Sequence, residues 1–202
     1  MPDDELKNRR PLASRSTGWA AIAARAILAA GLSPNAISVI GIGFAALGAW
    51  ALVEAPRQPW LYLAAALGIQ LRLLCNMLDG MVAVEGGKGS ATGPLYNEAP
   101  DRIEDTLLLV AAGYACGYEW AGWLAAVFAM FTAYVRALGG SMGFAQDFRG
   151  PMAKPHRMAV LTAGCIVALG VALMDREVAA IAVALALIIV GSAITGIRRT
   201  FG

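Results

Sequence analysis

Long apolar runs separated by short polar segments dominate this chain. Six stretches, 35–53, 59–79, 97–116, 120–138, 156–174 and 178–197, stay apolar for close to twenty residues each. At about 1.5 Å per residue, such a run spans the ~30 Å hydrocarbon core of a bilayer as a helix. The pattern therefore predicts an all-α polytopic membrane protein with six transmembrane helices. Ser33-Pro34-Asn35 opens the first span, with a hydroxyl suited to capping and a proline suited to a first turn. Ahead of it, 17–31 (TGWAAIAARAILAAG) is apolar but interrupted by Arg25. That stretch predicts an amphipathic helix lying in the interface, anchored by Trp19. The organisation expected is one membrane domain over 1–202: a tail and juxtamembrane helix over 1–31, then a six-helix bundle over 32–202. No internal repeat or linker marks a second domain.

Composition agrees, with 58% hydrophobic residues, 15% charged and mean hydropathy +0.62. These values exclude an ordinary soluble domain, and nothing in the sequence points to nucleic acid. The net charge of +2 says less than its distribution. Lys7, Arg9, Arg10, Arg15, Lys88, Arg149, Lys154, Arg198 and Arg199 fall on one side of the predicted topology, whereas only Arg57 and Arg176 fall on the other. The positive-inside rule makes the richer side cytoplasmic, with both termini there. The polar N-terminus has no early apolar core, so a cleavable signal peptide is not expected; the location expected is a bacterial inner membrane. Cys75, Cys116 and Cys165 are isolated in apolar runs and read as packing residues. Trp60, Tyr62, Tyr118, Trp120 and Trp123 lie near outer span ends, as an interfacial belt would. Arg72 and Arg198 read as span-end cations reaching for water.

One polar cluster interrupts the pattern at the cytoplasmic ends of spans two and three. Asn76 and Asp79 are i,i+3 neighbours on a helix, sharing a face with Gly80 and Ala83. Asn97, Asp101 and Asp105 follow at i,i+4 spacing as a second stripe. Converging stripes of short oxygen-bearing side chains suit Mg²⁺ or Mn²⁺, and the glycines at 80, 86, 87, 89 and 93 leave room for a ligand. A hairpin with helix caps and surface carboxylates is the plainer alternative.

The spacing carries more information. The segment resembles the signature of the CDP-alcohol phosphotransferase (CDP-alcohol phosphatidyltransferase) family, D-x-x-D-G-x-x-A-R-x8-G-x-x-x-D-x-x-x-D. Aligned without a gap, this chain reads Asn76-x-x-Asp79-Gly80-x-x-Ala83-Val84-x8-Gly93-x-x-x-Asn97-x-x-x-Asp101. LSPNAIS at 32–38 is similar to the family's entry into its first span, and the architecture also matches. The resemblance implies transfer of a phosphatidyl or other substituted phosphate group from a CDP-linked donor to a hydroxyl acceptor, releasing CMP, in phospholipid biosynthesis. It implies one or two Mg²⁺ or Mn²⁺ ions held at Asn76, Asp79, Asn97 and Asp101, with Asp101 as the base. Gly80, Ala83 and Gly93 would line the nucleotide pocket. The membrane lipid is an implied partner, as is a second copy of the chain, since the family is commonly dimeric and GIGFAALGA suggests close helix packing.

Three departures qualify these expectations. Asn76 and Asn97 stand at aspartate positions and Val84 at the arginine position, so the site has two fewer negative charges than the pattern. Glu85, Glu98 or Asp105 are candidate substitute ligands. A register pairing Asp101 with Asp105 puts Asn97 where glycine is expected, and the Gly93 register is preferred. A divergent transferase, a family member that binds nucleotide or lipid without turnover, and a structural membrane bundle all remain open. Arg136, Lys154 and Arg157 form a second, basic cluster suited to substrate phosphate, with topology or anionic headgroups as the alternative. His156, the one histidine, reads as an interfacial residue.

Overall fold

The computed structural model describes residues 18–85, 93–145, 147–174 and 179–201, without the side chains of 85, 93, 94 and 97. Among the described residues the chain forms seven helices and no strand: α1 Gly18–Ala29, α2 Pro34–Glu54, α3 Leu61–Glu85, α4 Gly93–Ala115, α5 Glu119–Ser141, α6 Lys154–Ala172 and α7 Ala180–Phe201. Lys7, Arg9, Arg10, Arg15, Lys88 and Arg176 lie outside the described residues, as do the side chains of Glu85 and Asn97.

Local chemistry sets the boundaries. Gly31, at φ +76°, lets the chain turn after α1 in the left-handed conformation that suits glycine. Leu32 N then bonds back to Ile27 O at 3.3 Å. Ser33 caps α2, its Oγ accepting from Ala36 N at 3.2 Å, and Pro34 fills the first turn. α6 likewise starts with proline in its first turn, at Pro155.

Five helices, α2, α3, α5, α6 and α7, are long and apolar enough to cross a membrane. The sixth expected span, α4, has the same length as α5 but carries Glu98, Asp101, Arg102, Glu104 and Asp105 in its first half. Its place in the bundle makes those charges tolerable. α2, α3, α6, α7, α5 and α4 pack pairwise in that order into a closed ring, and α4 also touches α3 and α7. The charged half of α4 therefore faces other helices. α1 stays outside the ring, against α3.

Small residues permit the close crossings. A Cβ added at Gly68 would lie 2.8 Å from Gly48 Cα and 2.9 Å from Phe44 O, so α2 and α3 meet backbone to backbone. Gly113 and Gly122 do the same for α4 and α5. Gly48 thus serves packing within the chain, and the dimer inferred from GIGFAALGA loses that support. The central core joins Ala45, Leu52, Ile69, Leu108, Leu109, Met158, Leu161, Leu185 and Ile188. Tyr62 belongs to this core and not to the outer aromatic belt, whereas Trp60, Tyr118, Trp120 and Trp123 are exposed. The three cysteines are free, with Cys75 and Cys165 buried among apolar groups and Cys116 partly so.

Candidate active site

The ends of α2, α3, α4 and α6 bring the polar residues together. Asp79 is 5% exposed, and its Oδ2 accepts a 2.7 Å hydrogen bond from Ser38 Oγ one turn into α2. Asp101, on α4, is 7% exposed and accepts from Lys154 Nζ at 2.5 Å through Oδ2. Lys154, the first residue of α6, donates at the same time to Asn76 Oδ1. Lys154 and Asp101 both lie within electrostatic reach of Asp79. The two half-motifs predicted on α3 and α4 therefore meet, and a lysine from α6 stands between them.

Asn76 is fixed on both sides. Its Nδ2 donates to Glu104 Oε2 at 2.9 Å and to Arg72 O at 3.0 Å, which leaves Oδ1 for the lysine. Glu104 is fully buried and also accepts from Arg72 Nη1 at 3.0 Å. α2 makes room for it: a Cβ at Gly41 would lie 2.6 Å from Glu104 Oε1. Neither Glu104 nor Ser38 emerged from the sequence. Glu104 falls on the polar stripe of α4, three residues after Asp101, and Ser38 closes LSPNAIS; those placements were the available signals.

Beneath this layer lies a second buried network. Asp105 accepts from Arg72 Nη2 through Oδ1 and from Arg157 Nη2 at 2.8 Å through Oδ2. Arg157 also donates to Met152 O at 3.0 Å and Thr132 Oγ1 at 3.3 Å, and is 2% exposed. Three expectations change accordingly. Arg157 does not reach out for substrate phosphate, because its guanidinium is spent on Asp105. Asp105 is not a substitute metal ligand, because two guanidinium groups occupy its oxygens. Arg72 does not reach for water: it is fully buried and paired with two carboxylates. Glu98, the other substitute proposed, pairs with Arg136 and lies 3.7 Å from Arg102, so it too is neutralised. Arg136 sits over the Phe148 ring, 5.4 Å from its centroid, beside the loop leading to α6.

The fit of this site to a divalent cation can be judged from its oxygens. Asp79 Oδ1 and Asp101 Oδ1 are both buried and have no hydrogen-bond partner among the described residues. Burying an unpaired carboxylate oxygen is costly, and a hard cation is the natural partner of two such atoms. Among the described residues, no cluster of three or more His, Cys, Asp or Glu side chains is placed to hold a metal. The described groups that fit a cation are thus the two unpartnered aspartate oxygens, whose carboxylates lie within electrostatic reach of each other. Gly80 and Ala83 follow Asp79 on α3, Ala83 being partly buried, and Gly93 opens α4.

The profile of the CDP-alcohol phosphatidyltransferase family matches residues 31–194. This chain belongs to that family. Among its relatives is the phosphatidylinositol phosphate synthase of Mycobacteroides abscessus, 25% identical over 150 residues that cover 71% of this chain and 66% of that protein. The Mycobacterium tuberculosis protein of the same name is 26% identical over 156 residues, covering 70% and 66%. The alignments span just under two thirds of these relatives. Solved structures of the M. tuberculosis synthase share the fold. Its complex with manganese and citrate superposes with a TM-score of 0.74 at 24% identity, over 90% of this chain and 87% of that one. A structure with CDP-DAG bound gives 0.73 at 25% identity, over 90% and 91%. The family match, the fold and the apolar helices make this an integral membrane protein.

Proposed function

We propose that this chain transfers a phosphatidyl or other substituted phosphate group from a CDP-linked donor to a hydroxyl acceptor, releasing CMP, in phospholipid biosynthesis. The observation that carries the reading is the meeting of Asp79 and Asp101, each with a buried unpartnered oxygen, beside the Lys154 ammonium. The relatives' name and the CDP-DAG complex of one of them support the donor class.

In this reading Asp79 and Asp101 hold Mg²⁺ or Mn²⁺, with Asn97 a further candidate ligand. When bound, the ion supplies charge neutralisation for the donor's pyrophosphate. Asp101 is the candidate base that takes the proton of the acceptor hydroxyl. The acceptor oxygen then bonds to the donor's β-phosphorus as the bond from that phosphorus to the bridging oxygen breaks, and CMP carries that oxygen away. Lys154 and Arg136 stay the candidates to meet substrate phosphate, each from an existing pair, with Asp101 and Glu98 respectively. Ser38 holds Asp79 so that Oδ1 faces the site. Gly80, Ala83 and Gly93 admit the nucleotide by their smallness. The charge distribution supports a site at the cytoplasmic face of a bacterial inner membrane, within the single domain over 1–202. A homodimer belongs to the proposal only as what the family resemblance implies.

The test is divalent-dependent release of CMP from CDP-diacylglycerol by the purified protein, with glycerol phosphate, inositol phosphate, inositol and serine as acceptors. Asp101→Asn is assayed alongside. Release that depends on one acceptor and is lost in the variant supports the proposal. Donor binding without CMP release under any acceptor leaves the non-catalytic reading in its place.

A further inference from the structure

The two asparagines in an aspartate signature look like losses when taken one at a time. The contacts of Asn76 give its substitution a purpose. One carboxamide faces a carboxylate and an ammonium at once: Nδ2 donates to Glu104, and Oδ1 accepts from Lys154. An aspartate has no N–H for Glu104, and it would set a second anion against a carboxylate already buried with Arg72. Gly41 leaves the space that Glu104 occupies, and a methyl group there would collide with Oε1. The negative charge absent from position 76 is thus present at position 104, turned toward Arg72. The oxygen left at 76 is a neutral one, suited to an ammonium. That ammonium is anchored at the other end by Asp101 Oδ2, while Asp101 Oδ1 and Asp79 Oδ1 stay unpartnered.

We infer that Lys154 is a built-in cation filling a cation place between Asn76 and Asp101, so that this chain takes a single divalent ion, at Asp79 Oδ1 and Asp101 Oδ1. The inference rests on the transferase reading of the site and adds how the site balances the charge of a pyrophosphate. The lysine supplies one positive charge permanently, and the divalent ion supplies the rest on binding. Asn76 is the positioning residue for the lysine, and Glu104 for Asn76. Such a site needs less divalent ion to fill, because only one place is open, and it cannot be emptied of its second cation by chelation.

The test counts ions independently of turnover. Mn²⁺ is titrated into the full-length protein in nanodiscs, and free Mn²⁺ is read by electron paramagnetic resonance. One Mn²⁺ per chain is expected for the wild type. Lys154→Met removes a positive charge beside the ion, so its Mn²⁺ affinity should rise about tenfold or more. Asn76→Asp combined with Lys154→Met should bind two ions per chain, whereas Lys154→Arg should keep the count at one. A wild-type count other than one overturns the inference, as does unchanged affinity in Lys154→Met. The wild-type count needs no variant to fold. CMP release measured on the same sample separates the two ideas: turnover with two ions refutes only the lysine's role, and one ion without turnover refutes only the transferase reading.

Discussion

Asp105→Asn is the substitution to which the fold should be most sensitive for its size. It changes one atom, on a side chain that joins Arg72 of α3 to Arg157 of α6 from its place on α4. All three side chains are buried, with relative exposures of 0% for Arg72, 2% for Asp105 and 2% for Arg157. An asparagine offers one acceptor oxygen and one N–H₂ group, so one guanidinium loses its acceptor and faces a donor. Arg72 keeps Glu104, but Arg157 keeps only the neutral oxygens of Thr132 and Met152. Breaking one partner of a buried ion pair costs about 3–5 kcal/mol. At about 2–4 °C per kcal/mol for a chain of this size, the melting temperature should fall by about 6–20 °C. Thermal unfolding in detergent, followed by intrinsic tryptophan fluorescence, measures it directly. Adding Arg157→Met to Asp105→Asn removes the stranded charge and should recover a good part of the loss. A shift below about 2 °C for Asp105→Asn, or no recovery in the pair, would show that the network does not hold the three helices together in this way.

Asp101→Asn makes the complementary case, because its partner Lys154 is partly exposed and can be solvated. It should leave the melting temperature within a few degrees and lower CMP release by about 10²–10⁴-fold, the range for loss of a general base. Gly41→Ala should destabilise by about 1–3 kcal/mol through the clash with Glu104. It should also raise Mn²⁺ affinity, in the direction of Lys154→Met, by displacing Asn76 and loosening its hold on the lysine, and EPR titration beside a melting curve separates the two effects. Gly68→Ala should cost a similar 1–3 kcal/mol by forcing α2 and α3 apart, but should leave Mn²⁺ binding unchanged in the fraction that folds. Asp147→Asn, in contrast, breaks a loop pair whose arginine is mostly exposed, and the melting curve should not move measurably.

The helices were legible from hydropathy because lipid and core both demand apolar residues over the length of a span. α4 was the exception: its second half, with Leu107, Leu108, Leu109 and Val110, reads as a span, whereas its first half makes sense only inside a ring of helices. The half-motifs were legible because Asp79 and Asp101 each belong to a fixed local spacing. The meanings of Arg72, Asn76 and Arg157 were not. Their charged partners lie 28 to 78 residues away along the chain, and no local periodicity encodes which carboxylate meets which cation. Arg157 read as a phosphate ligand for that reason. Tyr62 read as interfacial because it sits near Trp60, although Tyr62 packs into the core and Trp60, just before α3, is exposed.

α1 packs its alanines, Ala20 and Ala24, into a cluster with Met77, Leu78, Met81 and Val82 of α3, leaving Trp19 and Ile22 exposed. The helix predicted to lie at the headgroup level is therefore bolted to the very turns that carry Asp79. With α1 in that place, the bilayer surface would act as a depth gauge, setting the height of the aspartates relative to the headgroups whatever the thickness of the hydrocarbon below. Mismatch between protein and membrane would then be taken up at the far end of the bundle, and the proposed chemistry would stay level with a lipid's phosphate.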